Sequence, residues 1–350
     1  MDIFTLRNLY IALIVVLALV LALSVVVLAI SFFKYNRIIK RKRWRVKIDE
    51  IISKAIVTSE IEIDEVICES RPLRNQFLSA LVDASRRFSG NAREEIAALF
   101  QAYSLKEEVL GKLKDRRTHW IAGGIQEAAV MELEDLVPTI HDLLSHPSPI
   151  VYQEAQLAIV SFQGFDGLDF LDNLSSPLSE WQNLRLLSII KKIPENGEEK
   201  LRFWLKSPNP TVVIFVMRLI AKMQLLSLYD EVEAVEGEDR VKIQQVKTLE
   251  ALENEKTVPS FMERFPDESE EVQKAILQAL KYSRHPEAVH FLSLQLKNHE
   301  QGAIRMQAAE ALHHLGKIDE MKALLTEGDP VLKQIIYHVL REKDASAHDI

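Results

Sequence analysis

The side chains that come nearest to chemistry in this 350-residue sequence are one cysteine, ten histidines and two runs of acids. Cys68 stands without a nucleophile motif around it, so it reads as a half-buried small apolar side chain. A lone cysteine supports neither an intramolecular disulfide framework nor a Cys-rich zinc site, and it fits a reducing compartment. His141 with His146, and His285 with His290, are five residues apart and share a helical face poorly, while His313 and His314 are adjacent at a helix end. Solvated or half-packed rings are expected there rather than ligands. The acid runs Glu231 to Asp239 and Asp267 to Glu271 fall at turns and lack the alternating ligands and glycine of an EF-hand loop. There is no G-x-x-x-x-G-K-S/T, G-x-G-x-x-G or H-E-x-x-H, so neither a phosphate cradle nor a zinc protease site is signalled. The expectation is a chain with no catalytic residues, no cofactor and no metal.

What the sequence does build is helix. Gly and Pro are scarce, at 11 and 12 residues, and alternating strand patterns are almost absent, 61–67 being the one short exception. From Leu9 to Phe33 there are 25 residues without a charge. A helix of that length spans about 37 Å, against about 30 Å of bilayer hydrocarbon. Tyr10, Phe32, Phe33 and Tyr35 stand where interfacial aromatics belong. A cleavable signal peptide would have a shorter apolar region, a more basic start and a small-residue exit rather than Phe-Phe-Lys.

The apolar segment is followed by Lys34, Arg37, Lys40, Arg41, Lys42, Arg43, Trp44, Arg45 and Lys47, against Arg7 alone on the other side. The positive-inside bias then puts the N-terminus outside and the rest of the chain in the cytoplasm, single-pass in the inner membrane of a bacterium. The same nine residues form a candidate membrane surface, because polybasic juxtamembrane segments gain about 1 kcal/mol per residue from anionic headgroups. Residues 1–47 hold nine bases and one acid, which leaves a net charge of -16 on 48–350. An acidic domain argues against nucleic acid as a partner.

Beyond a helical lead-in at 48–115, one pattern recurs. Its clearest copy is Ile304-Arg305-x-x-Ala308-x-x-Ala311-Leu312-x-x-Leu315-Gly316, which sets small and apolar residues on one helical face and ends in glycine. Anchors equivalent to Ile304 lie at Ile121, Val151, Trp181, Val212, Val241, Val272 and Leu332, about 30 residues apart; Arg185 and Gln245 break the apolar face in two copies. A second, shorter stripe begins at Val137, Leu168, Leu201, Leu226, Val258, Val289 and Ile318, so each unit is a helical hairpin. Ser148-Pro149, Asn209-Pro210 and Asp329-Pro330 each offer an N-cap followed by proline in the first turn.

Paired helices with this period, opened by Asp or Asn with Pro and carrying V/I-R/K-x-x-A-x-x-A-L, resemble the short HEAT repeats of the phycobilisome-lyase-like type. The resemblance covers 116–342. It implies an α-α superhelix whose second helices line the concave side, and with the apolar stretch at 9–33 the expected fold is all-α, one transmembrane helix followed by that superhelix. The expected organisation is 1–33 N-terminus and span, 34–47 basic segment, 48–115 helical cap, 116–342 repeats and 343–350 polar tail. Phe170, Phe203 and Phe291 each follow a second-helix anchor by two residues, about 200° round the helix, and are the candidate partner-binding residues. The reading is a non-enzymatic scaffold that binds a membrane-associated protein at the cytoplasmic face. Its rivals are a bilin-lyase-like enzyme or chromophore carrier, and a periplasmic ligand-binding repeat domain.

Overall fold

A computed structural model describes residues 6–347 apart from 69, 284 and 327–329; the side chains of 6–9, 12, 37, 41 and 342–347 also lie outside the description. Among the described residues there is no strand, and the fold is an all-α assembly of helical repeats. The chain divides into two compact units, Met1–Ala158 and Ile159–Ile350.

The first unit begins with α1 (Leu6–Thr58), a helix of 53 residues that contains no glycine or proline to break it. It runs through 33 and 47 without interruption, so the apolar span, the basic segment and the first core helix are one rod of about 80 Å. The apolar stretch is exposed along its length, and this part of the helix is long and apolar enough to cross a membrane. Toward its end Ile48, Ile52 and Ala55, at i, i+4 and i+7, are buried against α3 (Arg71–Ser85) and α4 (Asn91–Ala102). Between them lies α2 (Glu65–Cys68), which buries Ile67 and leaves Cys68 exposed. The expected half-burial of Cys68 is thereby corrected: Ile67 takes the inward position one residue earlier. The Tyr103 hydroxyl accepts the Asp64 N–H at 2.8 Å and donates to Glu62 O at 3.1 Å, while Lys47 meets Asp64 at 2.6 Å.

The unit continues through α5 (Lys106–Leu113), α6 (Thr118–Val130), α7 (Val137–Asp142) and the first part of α8 (Pro149–Gln163). Gly124 lets α6 approach α5, since a Cβ there would stand 2.9 Å from Lys112 Cβ and 3.3 Å from the Leu113 backbone nitrogen. The almost fully buried Lys112 and Glu127 pair at 2.5 Å. Burial holds the Glu127 carboxyl above its usual range, and Lys112 works against that shift.

In the second unit, two kinds of element alternate. The first-layer helices are α9 (Glu180–Ile189), α11 (Pro210–Met223), α13 (Asp239–Ala251), α15 (Glu270–Leu280), α17 (Gly302–His314) and α19 (Pro330–Ala347). Between them run the second-layer elements: a 3-10 stretch at Gly164–Asn173, α10 (Gly197–Trp204), a 3-10 turn at Leu226–Leu228 leading into α12 (Tyr229–Glu233), α14 (Thr257–Arg264), α16 (Pro286–Asn298) and α18 (Ile318–Ala323). Consecutive first-layer helices pack directly on one another from α11 to α19. Val212, Val241, Val272, Ile304 and Leu332 are all buried, as the repeat requires.

Trp181 departs from that pattern. It is 68% exposed, and the core side of α9 is taken by Gln182, Asn183, Leu186 and Ile190, because the Ser179–Gln182 capping box starts the helix one residue out of register. Asn209 caps α11 by accepting the Thr211 N–H at 3.1 Å and also donates to Leu174 O and Ser176 O, so one side chain starts a helix and fixes the preceding turn.

Candidate binding ridge

The second-layer elements of the second unit are joined by a ladder of charged groups one repeat apart. Lys200 of α10 pairs with Asp169 in the 3-10 stretch, and Trp204 Nε1 donates to Asp172 at 2.7 Å. Arg202 reaches Glu231 of α12 at 2.7 Å and Glu198 at 3.2 Å, while Ser227 Oγ donates to Glu198 at 2.7 Å. Lys256, just before α14, meets Asp230 at 3.0 Å. The Arg202 guanidinium holds Glu231 below the usual carboxylate range, and the hydrogen bonds that Lys200 and Lys256 donate to Asp169 and Asp230 raise the two lysines. These pairs are at least partly open to water, where screening leaves such pairs little weight in stability. Their effect is to fix where the neighbouring side chains stand.

Those neighbours are apolar. Phe170, Phe203 and Leu226 each sit next in sequence to a ladder residue, Asp169, Arg202 and Ser227. Phe203 and Leu226 are each 61% exposed, and Phe170 is half-buried. Of the three phenylalanines that sequence spacing selects, Phe291 is the correction. It is 7% exposed and packs edge-on to Phe265 at 5.2 Å. In α16 the buried stripe is Ala288, Phe291, Leu292 and Leu296, so the anchor is Ala288 rather than Val289 and the register turns Phe291 inward. Leu226 is corrected the other way: expected as a core anchor, it lies in the 3-10 turn, and Leu228 takes the inward place.

Of the candidate membrane surface, Lys34, Lys40, Lys42, Arg43 and Arg45 are exposed on α1, Trp44 is half-buried, and the Lys40 ammonium lies over the Trp44 ring at 4.9 Å. Lys47 is turned toward Asp64 of the first unit. Arg37 and Arg41 belong to the same helix, with side chains outside the described set. Three histidines act as local acceptors: Nδ1 of His146, His285 and His299 receives the N–H of Ser148, Glu287 and Gln301. Among the described residues no three His, Cys, Asp or Glu side chains are grouped to hold a metal ion.

A second set of polar residues escaped the sequence pattern: side chains that close the ends of second-layer elements. Gln245, 2% exposed, donates through Nε2 to Val232 O, Glu233 O and Val235 O at 2.8–2.9 Å and accepts from Arg264 Nη1 at 2.9 Å. Gln273 donates to Phe265 O at 2.8 Å, and Arg305 Nε to Leu296 O at 3.0 Å. Each satisfies carbonyls that a helix end leaves open. The basic residue after the anchor in Ile304-Arg305 was visible in the sequence; its partner was not.

The hairpins of stacked first-layer helices and capped second-layer elements have a counterpart among known families. Residues 258–341 match HEAT repeats. No curated protein matches the sequence. The solved structures to which the chain is similar include an engineered protein, at 16% identity and a TM-score of 0.35 over 84% of this chain and 87% of that one. Human deoxyhypusine hydroxylase in complex with glycerol aligns at 14% identity and a TM-score of 0.28, covering 77% of this chain and 96% of the enzyme. A second engineered protein aligns at 12% identity and a TM-score of 0.24 over 85% and 97%.

Proposed function

We propose that the protein is a membrane-anchored helical-repeat scaffold that binds a protein partner at the cytoplasmic face, without catalysis. The observation that carries this reading is α1: an exposed apolar helix continues without a break into the core of the first unit. An apolar rod of that length is costly to leave in water and is satisfied by a bilayer. The eight basic residues that follow it, with Trp44 among them, favour a cytoplasmic exit and give anionic headgroups a surface to hold. Tethering raises the effective concentration of the repeats for anything else confined to that membrane. The ridge of Phe170, Phe203 and Leu226 supplies apolar contact area on a framework positioned by ion pairs.

The test is in-situ crosslinking of the native protein in its membrane, followed by purification and mass spectrometry. A protein crosslinked to residues 164–233 is the expected product. Recovery of the chain in the soluble fraction after cell breakage, or crosslinks confined to lipid, contradicts the scaffold.

A further inference from the structure

The two layers of the second unit carry opposite charge. The second-layer elements, with the 3-10 turns that extend them, hold thirteen acids against five bases; the first-layer helices hold eight acids against eleven bases. The negative side is therefore the side that bears Phe203 and Leu226. Along the ladder the three cations Lys200, Arg202 and Lys256 are met by Asp169, Glu231, Glu198 and Asp230, and the acids Asp166, Asp172 and Glu199 add to the same field. A ridge with exposed apolar side chains in a negative field is complementary to a segment that is basic and apolar together. The same field repels nucleic acid and an anionic lipid surface.

We propose that this ridge receives the Lys/Arg-rich juxtamembrane segment of another membrane protein. The assignment rests on the anchored scaffold reading. A chain held at the cytoplasmic face meets neighbours whose membrane helices are flanked there by Lys and Arg, with aromatic and aliphatic residues at the boundary. Such a segment places its apolar residues on Phe203 and Leu226 and its cations among the acids beside them. The ladder pairs stay intact, because Asp166 and Glu199 supply charge from outside them.

The experiment uses the full chain in nanodiscs of neutral phosphatidylcholine. The probe is a fluorescent peptide, KYNRIIKRKRWRVK, the sequence of 34–47, which combines cations with apolar residues. Anisotropy should show saturable binding that weakens steeply as salt is raised. Phe203→Ala with Leu226→Ala should weaken it about tenfold, as removal of two exposed anchors does. Asp166→Lys with Glu199→Lys should weaken it at least as much and flatten the salt dependence, while Trp181→Ala on α9 should leave it unchanged. A peptide of equal charge built from Lys and Ser should bind about tenfold more weakly than the probe. Equal binding of the two peptides, or indifference to the Phe203 and Leu226 pair, overturns the assignment. Failure of the chain to enter nanodiscs defeats the anchored reading; entry without peptide binding defeats this assignment alone.

Discussion

Replacing Gln245 by leucine brings the fourth position of its repeat into line with the apolar pattern and yet should destabilise the second unit. The amide closes the end of α12 through three carbonyls and is the hydrogen-bond acceptor for Arg264 Nη1. The Nε and Nη2 of Arg264 make no hydrogen bond, Glu268 standing 3.7 Å away, and burial pushes its guanidinium below the ordinary value. In Gln245→Leu the carbonyls of Glu233 and Val235 regain water, being only part-buried, and Val232 O keeps the Val235 N–H at 3.2 Å, but the Arg264 guanidinium loses its acceptor inside the protein. Stranding that charged group costs about 3–4 kcal/mol, more than a neutral group would, and the leucine returns about 1–2 kcal/mol of apolar burial. The net loss is about 2 kcal/mol. Urea unfolding followed by the fluorescence of Trp204, fully buried in this unit, measures it as a lower midpoint. Adding Arg264→Met should recover about 1 kcal/mol or more of the loss, since the stranded charge is then gone. A Gln245→Leu protein as stable as the parent, or additive with Arg264→Met, refutes the reasoning.

Gly124→Ala should lower the unfolding midpoint of the first unit by about 1–3 kcal/mol of overpacking, whereas Gly123→Ala, which meets nothing within 4 Å, should be neutral or slightly stabilising. Phe291→Ala should cost about 3–5 kcal/mol in the same urea assay and Phe203→Ala less than about 0.5 kcal/mol, the reverse of their expected order in partner binding. Glu127 is held above its unfolded pKa by burial, so its charge costs stability at neutral pH and the cost is relieved as pH falls through the raised value. Lys112→Met removes the opposing cation: the variant should lose stability at pH 7 and regain part of it by pH 5, and a midpoint that instead falls in parallel with the parent contradicts the assignment.

The repeat was legible because packing repeats. Seven of the eight first-helix anchors, all but Trp181, are buried, and each marks a position where one hairpin must fit the next. The second-layer elements were harder to read. They are short and partly 3-10, so a stripe of three or four residues does not fix register, and Leu226, Val289 and Phe291 were placed one or two positions out. Trp181 failed for a different reason: a capping box starts α9 and puts polar Gln182 and Asn183 on the core side, against the hydrophobic pattern. Gln245 looked like a defect in the repeat because its role is to satisfy backbone carbonyls 10 to 13 residues earlier, a relation that periodicity does not contain. The candidate ridge was half-visible, since Phe170 and Phe203 followed from spacing, while the ladder that positions them needed the pairing of elements.

The placement of the repeats at the cytoplasmic face is the claim on which the scaffold depends, and the chain carries its own reporter for it. Cys68 is the single cysteine and is exposed in the first unit, just beyond α1. A membrane-impermeant maleimide applied to intact spheroplasts and to inverted membrane vesicles should label Cys68 in the vesicles and leave it unmodified in the spheroplasts. Labelling in intact spheroplasts would place the repeats on the opposite face and contradict the account.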